Sequence, residues 1–258
     1  MASDQKLITL VTGANQGIGY YAAQQFASKT NPTHHVLVAA RDVSKAKTAI
    51  ANLTAAGVPA ANLEPIHLDI TDDTTIATAV ETIRAKHSRL DILIHNAGIS
   101  NAPGSLREQY AAIYQTNVFG PAAATEAFLP LLRASTLPGG KRIIFVSSSL
   151  SSLNIALAPD SPFPAKMYPI YRSSKTAVNM VMAGFASQLQ DEGFIVGAVC
   201  PGYCGTNLNG YQGYKDPAEG ASTVVRAAGL DREVIAGKLW HQREDAYEPA
   251  VEEGAYEW

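Results

Sequence analysis

Tyr171 and Lys175 stand four positions apart in Tyr-Arg-Ser-Ser-Lys. On a helix that spacing puts a phenol and an ammonium on one face, one turn apart. A phenol with its ordinary pKa of about 10 gives up a proton reluctantly, and a cation beside it stabilises the anion. Such a pair suits proton delivery to an oxygen that gains charge while a hydride reaches the adjoining carbon. Ser148, in the run Ser147-Ser148-Ser149, is placed to hydrogen-bond that oxygen, with a strand-end turn as its plainer reading. The spacing alone is weak, since about 0.4 Tyr-x-x-x-Lys pairs are expected by chance in this composition. Tyr211 and Lys215 form a second pair, in a glycine-containing stretch where four-residue spacing fixes no common face.

A hydride needs a carrier, and the N-terminal region offers a place for one. Three glycines crowd into Thr12-Gly13-Ala14-Asn15-Gln16-Gly17-Ile18-Gly19, directly after an apolar run. Without Cβ atoms, such a turn lets backbone N–H groups and a helix N-terminus approach a pyrophosphate. A tight strand-to-helix turn with no ligand is the bland alternative. In a dinucleotide site an acidic residue about 20 positions on receives the ribose 2′-hydroxyl of NAD. Here that position is Ala40, followed by Arg41, a planar cation suited to a 2′-phosphate. The pair reads as a preference for NADP(H); a solvated arginine opening a surface loop is the alternative. Asp69-Ile70, Asn96-Ala97-Gly98 and Pro201-Gly202 with Thr206 each follow a strand candidate, on the rim where cofactor contacts gather.

These residues converge only if the chain supplies the right elements. Short β-rich runs at 7–11, 35–40, 63–68, 91–95, 142–146 and 194–199, with a weaker one at 237–241, alternate with helical patterns at 17–29, 44–55, 72–87, 107–133, 168–190 and 217–228. Alternation of this kind predicts an α/β fold: a doubly wound (Rossmann) parallel sheet of about seven strands with helices on both faces. No internal repeat or Gly/Ser linker marks a boundary, so 1–258 reads as a single domain. Stretches 149–169 and 202–216, rich in proline and glycine respectively, read as loops over the site. Asn117 is a poor helix former inside an apolar helical pattern and precedes Gly120-Pro121, so a local break is expected there.

A formal charge of −3 gives no basic field for nucleic acid or anionic lipid. Cys200 and Cys204 have no second pair of ligands near them in sequence to complete a zinc site, no metal site is read, and free thiols in a reducing compartment are the simpler reading. His67 and His95, at strand ends, are assigned to structure. No apolar segment is long enough for a signal-peptide core or a membrane span, so a cytoplasmic location is expected.

Together, Thr-Gly-x-x-x-Gly-Ile-Gly at 12–19, Asn-Ala-Gly at 96–98, Asn117, Ser148, Tyr171-x-x-x-Lys175 and Pro201-Gly202 resemble the short-chain dehydrogenase/reductase family over nearly the whole chain. Ala39-Arg41-Asp42, Asn117-Val118-Phe119-Gly120, Cys200-Pro201-Gly202-Tyr203 and Pro217-Ala218-Glu219-Gly220 are similar to its NADPH-dependent carbonyl reductase branch. The resemblance implies strand order 3-2-1-4-5-6-7, a nicotinamide cofactor, and a catalytic group of Asn117, Ser148, Tyr171 and Lys175. In it Asn117 links Lys175 to solvent through water, while Lys175 also holds the nicotinamide ribose. Among the three serines Ser148 is chosen because the family's serine is usually the second after the strand, with its neighbours as alternatives. Tyr171 follows Ser148 by 23 positions, a longer gap than simpler members carry, which leaves the substrate entrance and the oligomeric state, homodimer or homotetramer, open. The expected partner is a small carbonyl or alcohol substrate. Tyr203, Tyr211, Tyr214, Phe163, Met167 and Tyr168 in the two loops favour an apolar or aromatic one. NADP-dependent alcohol oxidation, and a non-catalytic module that only senses NADP(H), are the alternatives. The acidic tail, with Glu248, Glu252, Glu253, Glu257 and Trp258, is read either as docking over the site or a neighbouring subunit, or as disordered.

Overall fold

The computed structural model describes residues 6–30, 32–242 and 254–256. The apolar runs become strands, largely buried except for the edge strand β3: β1 (Leu7–Val11), β2 (His34–Ala40), β3 (Leu63–His67), β4 (Ile92–His95), β5 (Lys141–Val146), β6 (Phe194–Val199) and β7 (Leu239–His241). They pair in parallel in the order β3-β2-β1-β4-β5-β6-β7. An eighth strand, β8 (Gly254–Ala255), adds to the β7 edge in antiparallel sense, so the sheet has one strand more than the sequence patterns announce. A two-residue strand carries no periodicity of its own and forms only because β7 offers an open edge.

The helices are α1 (Gly17–Ala27), α2 (Val43–Ala55), α3 (Asp73–His87), α4 (Leu106–Tyr114), α5 (Gly120–Arg133), α6 (Leu153–Leu157), α7 (Pro169–Gln188), α8 (Pro217–Ala227) and α9 (Arg232–Ile235). Alternate strand residues face two separate cores. Leu10, Leu37, Leu93, Ile143 and Phe145 pack with α3, α5 and α7, while Val11, Val38, Ile94, Ile144 and Trp240 pack with α1, α2, α8 and α9. Each fully buried Leu, Ile or Phe contributes about 1.5–3 kcal/mol, and strands covered on both faces gain this from every residue.

The break expected near Asn117 is present, and one loop expectation changes. The predicted helix 107–133 is interrupted by a π-helical turn, Gln115–Phe119. Pro121 has no N–H to return to the carbonyl of Asn117, so the turn widens there. Gly120 suits the break, because a Cβ would stand 2.5 Å from the Ile70 carbonyl oxygen. The stretch 149–169 is not all loop: a 3₁₀ turn, Ser149–Ser151, leads into α6, capped by Ser152, whose Oγ accepts from Ile155 N at 3.2 Å. The prolines at 159, 162 and 164 lie beyond α6 and do not bar it. The stretch 202–216 stays irregular apart from a 3₁₀ turn, Asn207–Asn209, and an isolated parallel bridge between Cys204 and Lys215.

Candidate functional site

The turn between β1 and α1 is held open by its glycines. Gly13 and Gly17 have φ of +64° and +56°, the left-handed region that side chains disfavour. A Cβ on Gly19 would meet Asn96 Nδ2 at 2.3 Å and the Gly13 carbonyl oxygen at 2.6 Å. Thr12 ties this turn to the end of β4: its Oγ1 accepts from the backbone N–H of both Asn96 and Ala97 at 3.0 Å, and Asn96 Nδ2 donates to the Thr12 carbonyl at 2.9 Å. Thr206 closes the other side, since a Cβ on Gly17 would touch its methyl at 3.4 Å. At the start of α1, Gln16 makes no side-chain capping bond and no acidic residue sits in the first turn. Among the described residues, the first N–H groups of α1 therefore have no side-chain cap, which fits an anionic diphosphate.

Ala40 is buried and Arg41 exposed at the end of β2, on the same rim. Asp69 spends its carboxylate on the turn into α3, accepting from Thr71 N at 2.9 Å and Thr71 Oγ1 at 2.7 Å, while Asp72 caps the helix itself. Ile70 lies buried beside it. Pro201 and Gly202, the latter at φ +84°, follow β6 on this rim as well.

Helix α7 carries Tyr171 and Lys175 on one face, with the Lys175 Nζ 5.7 Å from the centre of the Tyr171 ring. Lys175 is buried and donates to the Val146 carbonyl at 2.8 Å. Burial draws its ammonium down to about 8. Burial, and then the nearby Cys200, push the Tyr171 phenol above its ordinary value, while a hydrogen bond with Ser148 works the other way. Ser148 Oγ accepts from Leu150 N at 3.2 Å, Ser147 is buried, and Ser149 donates its backbone N–H to Cys200 Sγ at 3.2 Å. Asn117, on the π turn, clamps the chain after β4: Oδ1 accepts from Ile99 N at 2.9 Å and Nδ2 donates to the Ile99 carbonyl at 2.9 Å and to Ser174 Oγ at 3.0 Å. Asn117 and Lys175 close around Gly98, where a Cβ would stand 3.3 Å from Asn117 Oδ1 and 3.7 Å from Lys175 Nζ. The second Tyr/Lys pair is different, because Tyr211 is exposed at φ +63° outside any helix.

A glycine turn opening onto a helix N-terminus, and a Ser–Tyr–Lys group beside it, match the family model described as short chain dehydrogenase, over residues 7–216. The chain belongs to that family. A short-chain dehydrogenase of Penicillium roqueforti, anuI, is 44% identical over 246 residues, covering 93% of this chain and 95% of the relative. The short-chain dehydrogenase/reductase tropE of Talaromyces stipitatus is 33% identical, over 92% and 95% of the two chains. The fold is that of an NADPH-bound carbonyl reductase from chicken fatty liver, at TM-score 0.78, 24% identity and coverage of 98% and 100%. ElxO with NADP bound superposes at TM-score 0.73 with 25% identity, over 92% and 96%.

Family membership makes this short-chain dehydrogenase an oxidoreductase that works with a nicotinamide cofactor. None of its helices, among the described residues, is long and apolar enough to cross a membrane. Sequence reasoning passed over two features of its site. Thr12 was read only as part of the glycine motif, whereas its hydroxyl joins β1 to β4; a threonine opening such a motif is the signal that was there. Tyr256 was missed entirely. It follows β8, is buried against His241 with ring centres 4.2 Å apart, and its hydroxyl bonds with Ser149 and Cys200. A tail residue acquires this place only by strand addition at an edge, which leaves no local pattern. Glu248, Glu252, Glu253, Glu257 and Trp258 lie outside the described residues.

Side-chain bonds anchor both irregular stretches. Arg172, on α7, donates from Nη1 to the carbonyls of Phe163 at 2.5 Å and Pro164 at 3.1 Å, and Ser100 Oγ donates to the Leu208 carbonyl at 2.6 Å. His95 is buried, bonded through Nε2 to Thr125 Oγ1 at 2.8 Å, and held down to about 3 by burial. His67 Nε2 meets the Arg41 carbonyl at 3.1 Å. Neither offers a base at the site.

Proposed function

We propose that this dehydrogenase reduces a small apolar or aromatic carbonyl compound to an alcohol with NADPH, with Tyr171 supplying the proton. The observation that carries this reading is the buried Lys175 ammonium 5.7 Å from the centre of the Tyr171 ring on one face of α7, with the glycine turn at the start of α1 across the rim. The nicotinamide, when bound, supplies the hydride.

The chain's own groups supply the rest. Gly13, Asn15, Gln16, Gly17, Ile18 and Gly19 form the cradle for the diphosphate, with Thr206 opposite, and Arg41 favours a 2′-phosphate that the neutral Ala40 does not repel. Asp69 and Ile70, Asn96 to Gly98, and Pro201 and Gly202 line the same rim around adenine and nicotinamide. Ser148 holds the substrate oxygen and lowers the cost of charge arriving there. Tyr171, kept protonated by burial, donates its proton to the substrate oxygen as the hydride reaches the adjoining carbon, and Lys175 stabilises the phenolate left behind and holds the ribose. Asn117 keeps the 96–99 segment against α7 and, with Gly98, opens a path by which Lys175 is reprotonated. The chain acts as one domain, in the cytoplasm, with 149–169 and 202–216 as the substrate loops, and is active as a homodimer or homotetramer.

The test is NADPH consumption with a panel of quinones, aromatic ketones and aldehydes, comparing wild type with Tyr171→Phe. Turnover by wild type, with NADPH binding retained and turnover lost in the variant, supports the reading. Binding without turnover on every substrate, in both the reducing and the oxidising direction, would leave a module that senses NADP(H).

A further inference from the structure

We propose that His35, Glu64 and His87 form a zinc site on the edge of the sheet, at the end remote from Tyr171. His35 is the second residue of β2, Glu64 the second of β3 and His87 the last of α3, so the three meet at the N-terminal ends of the strands, while Ser148 and the cofactor turn follow C-terminal ends. One ligand atom from each lies within 4.8 Å of the others. The Nε2 atoms of His35 and His87 both face the same oxygen, Glu64 Oε2, at 3.2 and 2.9 Å.

The hydrogen bonding around His35 does not close on a neutral ring. Its Nδ1 faces the Ala61 carbonyl at 3.2 Å, and its Nε2 faces the Glu64 carboxylate. Both partners only accept, and a neutral imidazole has one N–H to give. If that proton serves Ala61, the Nε2 lone pair points at a carboxylate oxygen, an arrangement that a cation between them makes favourable. A ring nitrogen donating to a backbone carbonyl while the other faces a metal is how proteins orient imidazole ligands. Two imidazoles and one carboxylate suit zinc, which takes nitrogen and oxygen ligands in a tetrahedron and leaves the fourth position to water. Calcium and magnesium take oxygen ligands and are poorly served here. Lys86, with its Nζ 2.6 Å from Glu64 Oε1, occupies the other carboxylate oxygen, and its side chain is largely exposed. It offsets part of the negative charge and leaves Oε2 to the metal, so a site of moderate affinity results.

The full-length protein is stripped with a chelator and titrated with zinc chloride at neutral pH against a fluorescent zinc indicator, with melting followed in parallel. Wild type is expected to take one zinc per chain and to melt at higher temperature with it. His35→Gln and His87→Gln are each expected to lose about tenfold or more in affinity, and the rise in melting temperature with it. Nitrogen-15 NMR of the wild-type imidazoles reads the same site without any substitution, through zinc-dependent shifts of His35 and His87 Nε2. Absence of zinc uptake by wild type overturns the proposal and leaves His35 and His87 as hydrogen-bond partners of Glu64. Uptake that both variants retain, with no shift at these two rings, overturns it too and moves the metal elsewhere, such as the Cys200 and Cys204 thiols.

Discussion

The ammonium of Lys175 donates to the carbonyl of Val146 at 2.8 Å, so the strand that delivers Ser148 also holds the cation on the helix that presents Tyr171. Strand β5 and helix α7 thereby act as one rigid support. The burial that makes this bond also draws Lys175 down to about 8.

From this follows a pH profile. Carbonyl reduction needs the ammonium form, so with NADPH saturating, kcat is expected to fall as pH rises through about 8. Lys175→Met is expected to lower kcat by about 10²–10⁴-fold and to abolish that limb. Steady-state rates between pH 6 and pH 10, in that range by choice of buffer and roughly one unit apart, check it. A flat wild-type profile through pH 8 would remove Lys175 from the proton path.

Gly19 has no room for a side chain. An added Cβ meets Asn96 Nδ2 at 2.3 Å and the Gly13 backbone oxygen at 2.6 Å, and backbone cannot step aside cheaply. Gly19→Ala is expected to destabilise the fold by about 1–3 kcal/mol and to weaken NADPH binding tenfold or more, about 1.4 kcal/mol. Denaturant melts and fluorescence titration with NADPH measure the two effects separately.

In the proposed reading, Ala40 and Arg41 set the cofactor preference. The double substitution Ala40→Asp with Arg41→Ala removes a cation and adds an anion at the end of β2, and is expected to shift the NADPH/NADH affinity ratio toward NADH by about tenfold or more. An unchanged ratio in paired titrations would show that Arg41 is only a surface side chain.

Acid should unfold this protein early. Burial draws His34 down to about 4 and His95 to about 3, so below the unfolded value of about 6.5 the unfolded chain binds protons that the folded one refuses, and stability falls with falling pH. Between pH 7 and pH 5 each histidine accounts for about 2 kcal/mol. Thr125 Oγ1 gives its proton to the Pro121 carbonyl at 2.8 Å, so it accepts from His95 Nε2 and leaves Nδ1 without a partner. Urea melts at the two pH values test the slope, and His95→Phe should flatten it.

Tyr256 joins the tail to the site. Tyr256→Phe removes the hydroxyl that bonds with Ser149 and Cys200 and is expected to cost about 1 kcal/mol of stability. Tyr256→Ala also empties the contact with His241 and should cost about 3–5 kcal/mol. Equal melting of all three proteins would show that β8 does not stay docked in solution.

Much of this protein was legible in the residues alone. Most of the seven parallel strands are continuous apolar runs, the glycine turn is a local backbone requirement, and Tyr171 and Lys175 share a face because a helix repeats every 3.6 residues. Each rests on neighbours in the chain, so periodicity reveals it. The tertiary structure decided the rest. It buried Ser147 and tied the Ser149 N–H to Cys200 Sγ, because the path of the chain out of β5 depends on how that strand packs against α7. It wound the turn at Asn117 into a π helix, because Pro121 denies a bond there while Gly120 must pass the Ile70 carbonyl. It brought Tyr256 to Cys200 by adding a strand at an open edge, and it set His35, Glu64 and His87 around one carboxylate oxygen through the register of β2 on β3, where Leu37 lies opposite Glu64. Those contacts join residues far apart in the chain, and the packing that makes them leaves no repeat in the sequence.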